Sequence, residues 1–395
     1  MNTKGGSAEF APTGSVYDVY HESSFGQLKI ISVIAPWFNC SLTEKEAAGS
    51  ESGSGSDARL EDCILEALEY SDTVYNFEQL FDANGDGSID AIGFLHSGYA
   101  AEFGGTDCDG AATDHRIWSH QGYLSSAWIS NEDVSVMKYH ISAALWDTCG
   151  SEIGRIGVIA QGTGHFLGLP DLFDTTYEGR GIGSFGIMGN AWGETQTQLN
   201  PPMFSAWSKV FLGWLEPIEI DDENATGTYE LCSVGSHKDV LKISLGYESV
   251  QEYLLVANYQ PYGIDAYPPS TGITVFHIDE GVDAEMGINS VRGYPGQTCW
   301  PWNGNHYGVA LLAANGDYDL ELNQDDFNSD SCYSAEGVSF LDDTTIPSTQ
   351  QYHHGYGVKK SGIGINVTSN NGTCMNVTIT FDPISSGVVV DGGVC

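Results

Sequence analysis

Residues 157–174 contain the side chains whose spacing comes nearest to a metal-dependent hydrolytic site. The stretch reads GVIAQGTGHFLGLPDLFD, and Gln161, Gly162 and His165 stand at the defining positions of a His-Glu-x-x-His motif. In zinc peptidases that motif directs two imidazoles to one ion, and its glutamate takes a proton from zinc-bound water. Here a neutral amide replaces the first ligand and no side chain stands at the base position. The sequence therefore predicts a zinc site that is weak or lost.

A second group of oxygen-bearing side chains alternates along DANGDGSID, residues 82–90. Calcium takes about six to eight hard oxygen ligands, and the intervening glycines allow the tight turn that converges them. An EF-hand carries a bidentate glutamate at loop position twelve, where this chain has Gly93, and the following residues are strand-like. We expect an EF-like calcium loop outside an EF-hand, with a plain Asx/Gly turn as the alternative. The expected ligands are Asp82, Asn84, Asp86, Ser88 and Asp90.

The composition excludes several classes of partner. The chain has 395 residues, with 14 Lys+Arg against 53 Asp+Glu and a formal net charge of −39. A nucleic-acid binder needs clustered cations to neutralise phosphates, so no nucleic-acid partner is expected. The same charge argues against docking on anionic lipid, and a solvated surface is the ordinary reading of such acidity. No apolar run is long enough to predict a membrane span.

Cysteines and glycosylation sequons both indicate an oxidising compartment. The nine cysteines are scattered singly without a Cys-x-x-Cys pair, which favours disulfides over a thiolate zinc site. Their odd number leaves one over, and Cys395 is the natural candidate. We expect a secreted protein; because MNTKGGSAEFAPTG lacks an apolar signal region, we expect truncation at the N-terminus, with a cytosolic protein as the alternative. The sequon asparagines are Asn39, Asn224, Asn366, Asn371 and Asn376.

The elements that must position these residues change in period along the chain. Residues 14–38 predict a helical turn followed by a strand, and 44–58 predict a flexible Gly/Ser loop. From residue 218, short β-branched runs separated by turn residues predict a β-rich, sandwich-like region. The predicted helices cover 60–80, 130–148, 152–167 and 203–214.

Three segments follow one another in a family-specific order: GHFLGLPDLFD, GIGSFGIMGNAWG and NPPMFSAWSKVFLGW. This succession resembles the immune inhibitor A-like metallopeptidases, whose helix reads His-Glu-x-Gly-His-x-Leu-Gly-Leu-Pro-Asp-Leu-Tyr-Asp. The likeness covers residues 13–383 through GSVYDVYHESSFGQLKI, FDANGDGSIDAIGFLHSGY with RIWSH, and EYLLVANYQPYGIDAYPPSTGITVFHIDE. One departure is Ala257-Asn258-Tyr259, where the family has Glu-Asn-Arg.

The resemblance implies an α+β protein with two domains. A metzincin-like metallopeptidase domain, with a mixed sheet and an active-site helix, is expected at residues 13–217. A β-rich, sandwich-like domain is expected at 218–383, followed by a tail at 384–395. The implied cofactor is zinc, and the implied partner is a protein or peptide.

Carried over position by position, the family pattern makes Gln161 the lost first ligand and Gly162 the lost general base. His165 is then the retained second ligand, and Gly168 is the turn that ends the helix. Asp171 is implied as the third ligand, in a His-x-x-Gly-x-x-Asp arrangement.

Four further residues bear on the implied site. Met188 is expected in a methionine-containing turn beneath the metal. Glu194 is a more distant carboxylate that could take the place of Asp171 as third ligand. His120 and His140 are additional imidazoles, but no spacing argument connects either to the site, and a hydrogen-bonded structural role is expected for both.

Three functions remain open on the sequence. The first is a secreted pseudopeptidase that holds peptides without cleaving them. The second is an active metalloendopeptidase that uses Gln161, His165 and Asp171, with a base such as Glu194. The third is a calcium-dependent extracellular binding or structural protein that uses the β-rich domain and the acidic stretch at 317–330. The substrate or partner, the disulfide pairing and the oligomeric state are not specified by the sequence.

Overall fold

The structure is a computed structural model that describes residues 14–282, 287–324, 330–353 and 357–390. The chain forms two compact units. Among the described residues, the first unit comprises 14–17 and 30–168, and the second comprises 18–29 together with the chain from Leu169 onward. The domain boundary expected at 217–218 lies inside the second unit and stays a prediction.

The helices are mostly short and the strands dominate the second half of the chain. The α-helices of the described residues are α1 (Val16–Ser23), α2 (Glu44–Ala48), α3 (Leu60–Asp72), α4 (Phe77–Phe81), α5 (Gly157–Gly164) and α6 (Ala206–Phe211). Short 3₁₀ helices cover Ala101–Phe103, Thr113–His115, His165–Leu167, Gly183–Phe185 and Glu223–Ala225.

The strands include both long central and very short edge segments. They are β1 (Gly93–Tyr99), β2 (His120–Ile129), β3 (Ser135–Leu145), β4 (Ile218–Ile220), β5 (Gly227–Cys232), β6 (Val240–Ile243), β7 (Glu252–Tyr259), β8 (Gly272–Asp279), β9 (Val309–Leu311), β10 (Phe340–Leu341), β11 (Gln351–His353), β12 (Gly357–Lys359), β13 (Ile363–Val367), β14 (Cys374–Phe381) and β15 (Val389–Val390).

The first unit is built on a mixed sheet with β3 between β1 and β2. β1 runs parallel to β3, and β2 runs antiparallel to it. Leu60, Ile64 and Leu68 recur at helical spacing on α3 and are buried in one apolar cluster with residues of this sheet. Burial of that face holds α3 in place because an isolated helix of this length is marginal in water.

The second unit contains a β-sandwich. One sheet has the order β4-β6-β7-β8-β9, and the other has the order β10-β13-β14-β5. Inward side chains from both sheets, among them Leu254 and Val256 from β7 and Val377 and Ile379 from β14, form a single buried cluster. A further sheet pairs β11, β12 and β15. The expected α+β class and β-rich region after residue 218 are confirmed.

Three expectations for individual elements are wrong. The first part of the flexible Gly/Ser loop expected at 44–58 forms helix α2, which begins at a capping box between Thr43 and Glu46 and buries Ala47 and Ala48. Residues 130–148 contain strand β3 (Ser135–Leu145) rather than a helix. This strand is buried on both faces at 140–143, and such a run cannot be told from a buried helix by periodicity. After the end of α1, residues 24–40 form turns and an irregular segment instead of a strand. The side chain of Ile31 in this segment is 91% exposed. A strand requires a ladder partner, which an alternating pattern does not supply.

Disulfides are present, as the scattered cysteines predicted. The pairs in which both cysteines lie among the described residues are Cys40–Cys63, Cys108–Cys149 and Cys232–Cys374. Cys332 is a buried free cysteine, and Cys395 lies outside the described residues. Among the described residues, every helix is too short or too polar to serve as a membrane-spanning helix.

Candidate active site

The helix that carries the motif, α5, is short and rich in glycine. It continues into the 3₁₀ turn His165–Leu167 and ends at Gly168, whose φ is 88°. Glycine adopts this left-handed conformation without a Cβ penalty, so Gly168 sets the direction in which the chain leaves the helix. The helix end expected at this residue is confirmed.

The motif positions occupy the last turn of α5 and the start of the 3₁₀ turn. Gln161 is half-buried, Gly162 is buried, and His165 is only 7% exposed. The glutamine offers a neutral amide where the family has an imidazole, and the glycine offers no proton acceptor. Of the chemistry that the motif provides in zinc peptidases, this segment keeps one imidazole.

The space beside Gly162 is filled by His140 of β3. A Cβ atom built on Gly162 would lie 2.8 Å from Cγ of His140 and 2.9 Å from its Cβ. On the neighbouring strand, Gly93 is the register partner of His140, and a Cβ there would overlap its Cε1 and Nε2. The imidazole of His140 therefore lies against the backbone of two glycines.

The remaining contacts of His140 are few. Its Nε2 lies 3.5 Å from the hydroxyl of Thr163, and its ring meets Phe166 edge-on at a centroid distance of 6.3 Å. Its Nδ1 is buried without a hydrogen-bond partner among the described residues. Burial, and secondarily the neighbouring His165, lower the pKa of His140 to about 4. The ring is therefore neutral at physiological pH.

Lys138, two residues before His140 on β3, contacts the end of the same helix. Its Nζ donates to the backbone carbonyl of His165 at 2.6 Å and lies 5.6 Å from the ring centroid of Phe166. A cation at this position satisfies a helix-terminal carbonyl and complements the negative end of the helix dipole. One face of β3 thus fixes α5 at two successive positions.

His120 at the start of β2 has its own hydrogen bonds. Its Nδ1 lies 2.7 Å from the carbonyl of Trp118, and its Nε2 lies 3.5 Å from the hydroxyl of Tyr139. Burial lowers the pKa of His120. These contacts support the structural role expected for this histidine.

The other residues implied for the metal belong to the second unit: Asp171, Met188 and Glu194. Met188 is fully buried, and its carbonyl accepts a hydrogen bond from the backbone of Leu172 at 2.8 Å. Within 14–282, 287–324, 330–353 and 357–390, no three His, Cys, Asp or Glu side chains form a group that could hold a metal ion. The side chains at the motif positions do not fit a catalytic zinc, and the roles implied for these residues stay predictions.

The acidic loop at 82–90 is ordered by hydrogen bonds to its own backbone. The Asp82 carboxylate accepts from the amides of Asp86 and Gly87, both at 3.0 Å, and Asp86 accepts from the amide of Ser88 at 2.9 Å. Gly85 and Gly87 have positive φ, which the turn requires. The loop leads from α4 into β1, so no helix follows it. Whether it binds calcium stays a prediction.

The five sequon asparagines are all exposed in the structure: Asn39, Asn224, Asn366, Asn371 and Asn376. Asn366 and Asn376 lie on adjacent antiparallel strands of the sandwich, β13 and β14, and both point away from its core. The Asn371 amide donates to Thr271 Oγ1 at 2.6 Å and accepts from Gln260 at 2.7 Å. Exposure makes all five accessible to a glycosylating enzyme.

The comparison with known families decides the identity of the fold. Residues 7–214 match the catalytic domain of the immune inhibitor A peptidase, M6. The chain belongs to the immune inhibitor A (M6) peptidase family. The match includes the mixed sheet, α5 and the altered motif, so an M6 sequence carries Gln161 and Gly162 where zinc chemistry needs a ligand and a base.

Two curated relatives are similar over about half of the chain. Immune inhibitor A of Bacillus thuringiensis subsp. alesti is 29% identical over 234 residues, covering 52% of this chain and 33% of that protein. Pre-pro-metalloprotease PrtV of Vibrio cholerae serotype O1 is 29% identical over 214 residues, covering 49% and 23% respectively. The chain therefore spans a third or less of the length of these relatives.

The sequence identifies His140 as an additional imidazole, but no pattern in it predicts the contact between His140 and Gly162. The two residues are separated by 22 positions and lie on a strand and a helix. A helix over 130–148 would have placed His140 differently from strand β3. The missing signal was the register of β1 on β3, which pairs Gly93 with His140.

The neutral state of His140 predicts a specific loss of stability in acid. The pKa of His140 falls from an ordinary 6.5 to about 4 in the fold, so the unfolded chain binds this proton more tightly. The stabilisation is present above pH 6.5 and is lost as the pH falls toward 4. Between pH 6.5 and 4, the free energy of unfolding should therefore fall by about 3 kcal/mol less in His140→Gln than in the wild type, measured by urea unfolding across that range.

A matched control is His237→Gln, which replaces an exposed histidine and should keep the wild-type pH dependence. If His140→Gln declined as steeply as the wild type, the buried ring would not be neutral in the folded protein.

Proposed function

We propose that this member of the M6 family is a secreted pseudopeptidase, which binds a protein or peptide without hydrolysing it. The observation that carries the proposal is Gly162. The position of the general base has no side chain, and the adjacent space is occupied by the ring of His140. Family membership supports a protein or peptide as the partner.

The energetic case rests on two separate losses. General-base assistance contributes roughly 10²–10⁴-fold to a rate, which is about 3–5 kcal/mol of barrier. Gln161 removes one imidazole from a set that needs three protein ligands to hold a catalytic zinc. Loss of the metal removes the activated water, so the two substitutions act on the same step and leave little hydrolysis.

An active peptidase with a variant site is the competing function. It would need Gln161, His165 and Asp171 to hold zinc and a remote carboxylate such as Glu194 to act as base. The two functions differ in metal content and in the effect of a chelator, so one preparation distinguishes them.

We expect the purified wild-type chain to contain far less than one zinc per molecule and to show no chelator-sensitive cleavage of casein. Metal content is measured by elemental analysis, and cleavage is measured with and without EDTA. His165→Ala is the matched variant, because it removes the retained imidazole and should change neither measurement. Stoichiometric zinc with EDTA-sensitive cleavage, both lost in His165→Ala, would establish the active peptidase instead.

We also propose that residues 82–90 bind calcium in this protein. The loop gathers Asp82, Asn84 and Asp86 around backbone amides, and glycines at 85 and 87 permit the turn. These features support a ligand that needs several oxygens, and calcium is the cation that such loops hold. The role would be structural, since the loop precedes β1.

Calcium at 100 times its dissociation constant should raise the melting temperature by about 5 °C, because ligand binding to the folded state alone stabilises it. Asp82→Asn should abolish the shift, whereas Asp317→Asn, which removes an exposed acidic residue outside the loop, should retain it. An unchanged melting temperature after addition of calcium would contradict this site.

Secretion and N-glycosylation complete the proposal. The exposed sequons and the disulfides support an extracellular protein. Expressed with a signal peptide in a eukaryotic cell, the chain should lose mass on treatment with peptide N-glycosidase F. Replacing Asn366 and Asn376 by Gln should reduce that loss, measured by mass spectrometry, while unchanged mass in the wild type would contradict glycosylation.

A further inference from the structure

We infer that His140 occupies the space that a general-base side chain at position 162 would need, so that repair of the motif requires a change at position 140 as well. The inference rests on the proposed loss of peptidase function at this site. It adds that the altered site includes the packing of His140 against Gly93 and Gly162 and is not confined to the two substitutions in α5.

The contact on the α5 side cannot be relieved by a small side-chain movement. The atoms of His140 nearest to a Cβ on Gly162 are Cγ and Cβ, at 2.8 and 2.9 Å, with Nδ1 at 3.1 Å. Carbon atoms pack optimally at about 3.5–4.0 Å. Because Cβ and Cγ lie close to the backbone of β3, a side chain at 162 would have to displace the strand or drive His140 into another rotamer.

The other side of the ring is closed in the same way. Nε2 and Cε1 of His140 would overlap a Cβ built on Gly93. Gly93 and His140 are register partners on parallel strands, so their spacing is fixed by the ladder between β1 and β3. Phe166 adds an edge-on contact beyond the helix. The ring therefore has backbone on two sides and an aromatic ring on a third.

This arrangement explains why a histidine at position 140 occurs together with glycines at positions 93 and 162. Any side chain at either glycine would overlap the imidazole, and a side chain smaller than His at 140 would leave a void between two bare backbones. A glutamate at 162 would add two methylene groups and a carboxylate to a site that does not admit the first methylene.

The first experiment is a double-mutant cycle on the full chain, read as melting temperature. Gly162→Ala should lower it by about 5 °C, because the added methyl overlaps His140. In a His140→Ala background, the same substitution should raise it by about 2 °C, because alanine is the better helix former once the space is free. The effect of Gly162→Ala on the melting temperature is thus expected to change sign when His140 is replaced by alanine.

His120→Ala provides the matched background, since its imidazole faces Tyr139 and none of the atoms nearest to a Cβ on Gly162 belongs to it. There, Gly162→Ala should lower the melting temperature as it does in the wild type. The inference is overturned if Gly162→Ala is neutral or stabilising in the wild type, or if its cost is unchanged when His140 is alanine.

The second experiment repairs the motif. Gln161→His with Gly162→Glu should bind zinc at least tenfold more weakly than the same pair combined with His140→Ala, measured by calorimetric titration with zinc alone. The pair combined with His120→Ala should bind no better than the pair itself. Equal zinc affinity with and without His140 would overturn the inference.

These outcomes are separable from the fate of the proposed function. Hydrolysis by the wild-type chain would refute the pseudopeptidase proposal but would leave the sign change in the alanine cycle intact. Conversely, if the wild type is inactive but positions 140 and 162 show no coupling, the proposed function stands and the packing inference is overturned.

Discussion

The approach of strand β3 to helix α5 is the constraint on which the geometry of the motif depends. At this crossing, an imidazole lies against helix backbone with no intervening side chain at position 162. Two residues earlier on the same strand face, Lys138 holds the carbonyl of His165. β3 therefore contacts the helix and its C-terminal turn at two points, and the glycines of the helix are tolerated because tertiary contacts supply the order that intrinsic propensity does not.

The sequence was most informative where a local pattern and the tertiary environment agree. The runs that became β5–β8 alternate or cluster β-branched residues between turn residues, and they lie in one sandwich core. Helix α3 was recognisable because Leu60, Ile64 and Leu68 fall on a single face. The family was recognisable because three glycine-containing segments, two of which also contain tryptophan, keep their order.

The sequence was least informative where the environment alone decides. β3 is central in its sheet and buried on both faces over 140–143, so it lacks the alternation that distinguishes a strand from a helix. The role of His140 depends on the register between β1 and β3, which no short pattern encodes. The altered residues at 161 and 162 could be read directly from the sequence, whereas the packing of His140 of β3 against position 162 could not.

The histidine held between two glycines also bears on the history of this chain. A change from glycine to glutamate at 162 meets the ring, and removal of the ring first opens a cavity between two bare backbones. Either of these two changes made alone thus gives a less stable protein, and only the two together avoid that cost. In the proposed pseudopeptidase, selection for stability would therefore oppose either of these changes, independently of any selection on activity.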